Sequence, residues 1–168
     1  MFTSGILTIS DKGARGQRRD ESGGAIRDSL SALGSRVVKY EIVPDEKEII
    51  AGRLQEWADG GGVDVILTTG GTGLSGRDVT PEATLSVLDR VVPGFAEAMR
   101  VRSLEKTPMA MLSRAVAGMR GQCLIINLPG STKAVRECLE VILPAVPHAV
   151  EIAKGEVTEH SYQEARKG

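Results

Sequence analysis

Aromatic residues are scarce in this chain: Phe, Trp and Tyr together make up 3% of its 168 residues. A protein that grips single-stranded nucleic acid by stacking bases on aromatic faces would lack its platform. An excess of positive charge is missing as well, with 21 Lys and Arg against 22 Asp and Glu and a formal net charge of −1. That balance excludes a general binder of the phosphate backbone, which needs a basic face to displace counterions. No window reaches the roughly 18 uninterrupted apolar residues that a membrane span requires, and residues 1–10 carry neither a basic leader nor a long apolar stretch. Only two cysteines occur, Cys123 and Cys138, each in an apolar periodic segment without a partner at metal-ligand spacing. Buried reduced thiols, and with them a cytoplasmic location, are expected. The two histidines, His148 and His160, fall late in the chain and form no dyad for nucleophilic catalysis.

What is present is the composition of a globular protein: 41% hydrophobic and 26% charged residues in a length that suits one domain. A single domain is expected over residues 1–155, followed by a polar tail at 156–168. Apolar runs at 5–9, 36–43, 64–68 and 123–128, flanked by turn residues, predict four buried strands. Helical periods lie between them. Residues 24–33 place Ile26, Leu30 and Leu33 on one face, and 46–58 place Ile49, Ile50, Leu54 and Trp57 on another. Thr80 as a cap with Pro81 in the first turn opens a third helix, carrying Leu85 and Leu88 and ending near Val92. A further helix is predicted at 95–104, and a short helical or irregular piece at 108–113. Residues 132–153 are helical in period but contain Pro144 and Pro147, which predicts two helices or a kinked one. Strands alternating with helices imply a mostly parallel sheet covered on both faces, because each parallel connection needs a crossover. Ligands of such sheets bind where loops leave the carboxyl ends of strands. That rule singles out residues 10–16, 44–45, 69–78 and 129–133.

The third apolar run passes directly into Thr69-Gly70-Gly71-Thr72-Gly73. Glycines there let successive main-chain N–H groups turn toward one anion, forming a phosphate cradle. It is not a Walker loop, since no Lys-Ser or Lys-Thr follows, and the glycine spacing is not that of a dinucleotide fingerprint. A plain glycine-rich turn is the alternative. Asp78, within Arg77-Asp78-Val79-Thr80-Pro81, is not needed for the helix start. A carboxylate beside an anion cradle calls for a cation between them, and Mg²⁺ favours carboxylate and phosphate oxygens together. The competing reading is a solvated Asp78 paired with Arg77. Asp45 follows Pro44 at another carboxyl end and is a candidate second acid, although Asp45-Glu46-Lys47-Glu48 also fits a capping box with Asp45 as the cap. Pro129-Gly130-Ser131-Thr132-Lys133 precedes a helix and offers free N–H groups, a positive dipole end and a lysine. It reads either as a second phosphate contact or as an ordinary Ser-capped helix start. Ser10-Asp11-Lys12-Gly13 occupies the matching position after the first strand. Ser113-Arg114 has no His or Lys at motif spacing, so a serine nucleophile is not expected. An unrelated phosphosugar or nucleotide site on a similar sheet is a further alternative.

Thr68-Thr69-Gly70-Gly71-Thr72-Gly73, followed by Arg77-Asp78-Val79-Thr80-Pro81-Glu82-Ala83-Thr84, closely resembles the molybdopterin adenylyltransferases of molybdenum cofactor synthesis, the MogA and gephyrin G-domain type. The likeness extends through Ile9-Ser10-Asp11, Val43-Pro44-Asp45-Glu46, Pro93-Gly94-Phe95, Leu112-Ser113-Arg114-Ala115 and Asn127-Leu128-Pro129-Gly130, nearly the whole chain. It implies a three-layer α/β/α domain, usually a homotrimer, that takes molybdopterin and Mg-ATP, forms adenylyl-molybdopterin and releases pyrophosphate, with a molybdenum insertase as a partner. It also implies that Asp45 and Asp78, the Mg²⁺ ligands expected from their place beside the cradle, are the catalytic acids, and that Ser113 lies at the substrate site. The Thr69–Gly73 loop and the Pro129-Gly130 loop would hold the pterin's phosphate, with Ser10, Asp11, Ser131 and Lys133 as further substrate-binding candidates. Neither nucleic acid nor membrane is an expected partner. Gly130-Ser131-Thr132-Lys133 looks more like the related MoaB group, for which the alternative is a non-catalytic molybdopterin-binding carrier or assembly protein. Arg77-Asp78-Val79-Thr80 looks more like the active enzymes.

Overall fold

In strand β1 (Thr3–Ile9), Ile6 packs into one apolar cluster and its neighbour Leu7 into another. That is the period of two imposed on a sheet buried on both faces. Strands β2 (Arg36–Val43), β3 (Val65–Thr69), β4 (Arg90–Val91), β5 (Ala117–Arg120) and β6 (Cys123–Leu128) complete the sheet in the order β2-β1-β3-β6-β5-β4. The first four in that order are parallel, and β5 runs antiparallel to both its neighbours. The computed structural model describes residues 1–156, so the expected tail lies, apart from residue 156, outside the described residues.

Helices cover both faces and make three layers. On one side α2 (Glu21–Ala32), α5 (Pro93–Leu104), α6 (Thr132–Ile142) and α7 (Val146–Lys154) bury Ile26, Leu30, Met99, Leu139 and Val150 against Ile6, Leu67 and Ile126. On the other, α3 (Lys47–Asp59) and α4 (Thr80–Leu85) bury Ile50, Leu54, Trp57 and Ala83 against Leu7, Ile66 and Ile125. A four-residue α1 (Asp11–Ala14) and a 3₁₀ helix (Pro108–Leu112) lie in connections. Among the described residues, no helix is long and apolar enough to cross a membrane. Cys123 and Cys138 are free and buried, and burial pushes the Cys123 thiol up to about 12.

Several expectations need correction. Strand β2 is an edge strand with little cover, so Val38 and Tyr40 are exposed and only Val43 is fully inside. Helix α2 starts at Glu21, not 24, because Asp20 caps it by accepting from the Gly23 N–H at 2.9 Å; Leu33, expected on its buried face, is exposed. Ile49 falls off the buried stripe of α3, which is Ile50, Leu54 and Trp57. Helix α4 ends at Leu85, which is exposed, well short of Val92. Strands β4 and β5 escaped prediction because they are two and four residues long, and glycine and arginine interrupt any alternation. The break at 143–145 does separate two helices, with Pro147 in the first turn of the second.

Candidate active site

Register aligns the strand ends: Ile9 lies beside Val43, Thr8 beside Thr69, and Thr69 beside Leu128. From β1 the chain moves outward to β2 and then returns to β3 on the other side of β1. The crossovers therefore part between β1 and β3, the switch point at which doubly wound sheets open a crevice. A cavity of about 370 Å³ lies there. Thr69, Gly70, Gly130 and Ser131 line one side, Ser10 and Asp45 another. The approach to α2, from Arg18 to Ser22, lines the rest.

The course of the glycine-rich loop is fixed by its own backbone. Gly70 and Gly71 have φ of +97° and +68°, left-handed values that L side chains resist. A β-carbon at Gly70 would also strike the Ile9 carbonyl, and one at Gly71 the Thr80 hydroxyl. Thr69 Oγ1 donates to the Pro129 carbonyl at 2.6 Å, tying the two predicted anion loops together. Thr80 is not the cap of α4. Val79 holds that position, while the buried Thr80 hydroxyl donates to the Gly70 carbonyl at 2.9 Å. Beneath the loop, Asn127 Nδ2 donates to the hydroxyls of Thr68 (3.0 Å) and Thr84 (2.9 Å), and its Oδ1 accepts from the Val116 N–H at 3.2 Å. All three side chains are fully buried. This satisfied polar cluster locks the ends of β3 and β6 to α4.

Asp45 is not a helix cap either, since Glu46 occupies that position and makes no side-chain capping bond. Instead Asp45 Oδ2 accepts from the Asp11 N–H at 2.9 Å, and the Asp45 N–H donates to Asp11 Oδ1 at 3.0 Å. Burial raises the Asp45 pKa above the ordinary value, and the nearby charges of Asp11 and Asp78 add to the rise. Asp11 is held below its usual range, first of all by Arg77, whose guanidinium grips both its oxygens at 2.8 to 3.1 Å. Arg77 therefore pairs with Asp11 and not with Asp78. Asp78 Oδ2 accepts from the Ser75 N–H at 2.9 Å and sits against Gly73. Among the described residues, no three His, Cys, Asp or Glu side chains gather into a ready metal site. A cation here would take most of its ligands from substrate phosphates and water, the habit of Mg²⁺, with one or two carboxylates completing the shell.

A second cavity of about 230 Å³ lies on the far side of Pro129, between α5, the 3₁₀ helix and α6. Ser113 and Pro129 line it together with Met99, Ala110 and Cys138. Of the predicted site residues, then, Ser10, Asp45, Thr69, Gly70, Gly130 and Ser131 meet in the first cavity, and Ser113 and Pro129 in the second. Asp11, Gly71, Thr72, Gly73, Asp78 and Lys133 line neither. Ser131 does cap α6, accepting from the Ala134 N–H at 3.2 Å, and Lys133 is exposed on that helix. Sequence reasoning missed Arg18 and Arg19, whose only signal was a basic pair ahead of α2. It also missed Arg114, which donates from Nε to the Gly73 carbonyl and from a terminal nitrogen to the Asp78 carbonyl, each at 2.7 Å, and pairs with Glu82. Its main-chain N–H bonds the Thr72 carbonyl at 2.9 Å.

Residues 5–148 match the family described as "Probable molybdopterin binding domain". A molybdopterin adenylyltransferase of Helicobacter pylori is 46% identical over 153 residues, covering 90% of this chain and 87% of that protein. Gephyrin of Dictyostelium discoideum is 46% identical over 156 residues, which are 87% of this chain but 22% of gephyrin. Among solved structures, the molybdopterin biosynthesis enzyme MoaB of Thermus thermophilus is similar with a TM-score of 0.87 at 57% identity, covering 92% of this chain and 98% of that one.

Proposed function

The chain belongs to the molybdopterin-binding domain family of molybdenum cofactor synthesis, and on that premise we infer that it is a molybdopterin adenylyltransferase, moving AMP from ATP to the phosphate of molybdopterin. An oxygen of the pterin's phosphate attacks the α-phosphorus of ATP. A new P–O bond forms as the bond to the α,β-bridging oxygen breaks, and pyrophosphate leaves with that electron pair. The attacking oxygen is already ionised at neutral pH, so no strong base is required. What the protein must supply is placement of two anions and compensation of their charge.

The observation that carries this reading is the convergence of the glycine-rich loop, Asp45 and the start of α6 on one cavity at the sheet's switch point. Gly130 and Ser131, at the positive end of α6, hold the pterin's phosphate, while the Gly70 N–H is taken by the Leu128 carbonyl at 3.3 Å. The apolar cavity beside Ser113 and Pro129 takes the pterin ring. Asp45 and Asp78 would hold Mg²⁺, which would offset the charge of the phosphates and of the departing pyrophosphate. Asp11 acts through Asp45 and does not touch substrate. The active protein is a homotrimer in the cytoplasm, where free thiols persist. Its product passes to a molybdenum insertase; the much longer gephyrin relative supports a link between this module and others.

The test supplies authentic molybdopterin, ATP and Mg²⁺ and measures adenylyl-molybdopterin and pyrophosphate. Equal amounts of both products are expected. Tight pterin binding without pyrophosphate would replace the transferase with a carrier, and absence of pterin binding would remove both.

A further inference from the structure

We propose that Arg18 and Arg19 form the pyrophosphate-binding wall of the larger cavity, taking the β- and γ-phosphates of the nucleotide on the side facing α2. The inference rests on the adenylyl-transfer reading and adds to it the residues that receive the leaving group. Among the described residues, Arg18 and Arg19 are the only cationic side chains that line this cavity. Lys133, the cation expected there, lies elsewhere on α6. The reaction brings together two anions, and the Gly130–Ser131 start of α6 offers main-chain N–H groups for one of them. A second, more highly charged tail needs counter-charge of its own, and an arginine fork meets phosphate oxygens two at a time.

Three carboxylates line the cavity as well, Asp20, Glu21 and Asp45; Asp45 accepts from the Asp11 N–H, and Asp20 is held by donors of its own. Asp20 Oδ2 accepts from the Thr8 hydroxyl at 2.6 Å and from Tyr40 OH, while Oδ1 accepts from the Gly23 N–H at 2.9 Å and the Ser22 hydroxyl at 3.2 Å. Four donors thus occupy Asp20 and hold it within the wall. Burial works against its charge, yet those bonds outweigh burial and keep it ionised. Among the described residues, neither Arg18 nor Arg19 enters an ion pair, in contrast to Arg77 and Arg114. Both are exposed at the cavity rim and free to close over a polyphosphate.

Calorimetric titration in magnesium buffer tests the wall with three probes: ATP, AMP, which lacks the β- and γ-phosphates, and inorganic pyrophosphate. Arg18→Ala and Arg19→Ala should each weaken ATP and pyrophosphate by roughly tenfold, the cost of losing a charge-assisted contact. AMP and molybdopterin affinities should change by less than about twofold, so the preference for ATP over AMP collapses in the double variant. Arg→Lys at each position should recover part of it. A merely structural role would weaken AMP and ATP alike, and that result overturns the proposal. So does an intact ATP preference in the double variant, or a wild-type protein that binds no pyrophosphate. Arginine-dependent pyrophosphate binding in a protein that makes no adenylyl-molybdopterin would uphold the wall and remove the transferase reading instead.

Discussion

Arg114 is the side chain whose removal should do most harm for its apparent distance from the chemistry. Its guanidinium holds the loop that carries Asp78 at two carbonyls, Gly73 and Asp78, and ties it to Glu82 on α4. A charged hydrogen bond is worth about 1.5–3 kcal/mol when protected from water. The Arg114 and Glu82 side chains are 34% and 44% exposed, so solvent discounts each carbonyl bond to about 1 kcal/mol and the ion pair to less. Arg114→Ala should therefore cost about 2–3 kcal/mol, or roughly 5–10 °C in Tm for a domain of this size. Turnover should fall by at least about tenfold as well, because a displacement of about 1 Å in a positioned group costs up to about a hundredfold. Arg114→Lys is the sharper test: a single ammonium cannot reach three acceptors spread along a planar fork. It should recover less than half of either quantity. Denaturant melts and steady-state rates on the same preparations suffice, and native turnover in Arg114→Lys would refute the reasoning.

Asp45→Asn should lose most turnover, by about a hundredfold or more for a group stabilising charge at the reacting centre, while melting no lower than the native protein. Because burial, with Asp11 and Asp78, raises the Asp45 pKa, the folded state binds that proton more tightly than the unfolded chain does. Stability from this group is thus greatest below the unfolded pKa and declines as pH rises through the folded one, so the amide removes a cost at neutral pH. A variant that melts lower and keeps its rate would contradict both halves. Asn127→Leu strips partners from Thr68, Thr84 and the Val116 N–H at once, each worth about 1–3 kcal/mol when buried and unpaired. Urea unfolding should show a loss of about 3–5 kcal/mol; a shift below about 1 kcal/mol would mean the cluster does not hold the strand ends.

The parts of this molecule that sequence made visible are those governed by local rules. Four parallel strands, the glycine-rich loop and the paired C-terminal helices follow from periodicity, glycine and proline, and each lies within a residue or two of its expected place. What sequence hid depends on partners distant along the chain. Asp45 reads as a helix cap until Asp11, 34 residues away, takes its oxygen. Thr80 reads as a cap until the Gly70 carbonyl, 10 residues back, takes its hydroxyl. Asp78 next to Arg77 reads as an ion pair until Arg77 is seen on Asp11, 66 residues away. In each case the local motif was chemically satisfied on paper, and a tertiary contact offered a better partner. Ser131 shows the converse, a cap that is local and real, because nothing distant competes for its hydroxyl.

The same long-range contacts connect the two cavities that the proposed reaction would use. Thr69 bonds Pro129, so the glycine-rich loop and the start of α6 move as one body, with Pro129 facing the apolar cavity and Gly130 the polar one. Ser113 lines that apolar cavity, and the next residue, Arg114, fixes the carbonyls on either side of the Asp78 loop. A ligand seated beside Ser113 thus presses on a segment one bond removed from the brace of the acid loop. Asp78 in turn raises the Asp45 pKa through its charge, and Asp45 lines the polar cavity. The apolar and polar cavities are joined by hydrogen bonds to main-chain carbonyls, from the Thr69 hydroxyl and from the Arg114 guanidinium. Binding energy gained in the first can then hold the charges of the second in place, the use of remote contacts that group transfer between two anions demands.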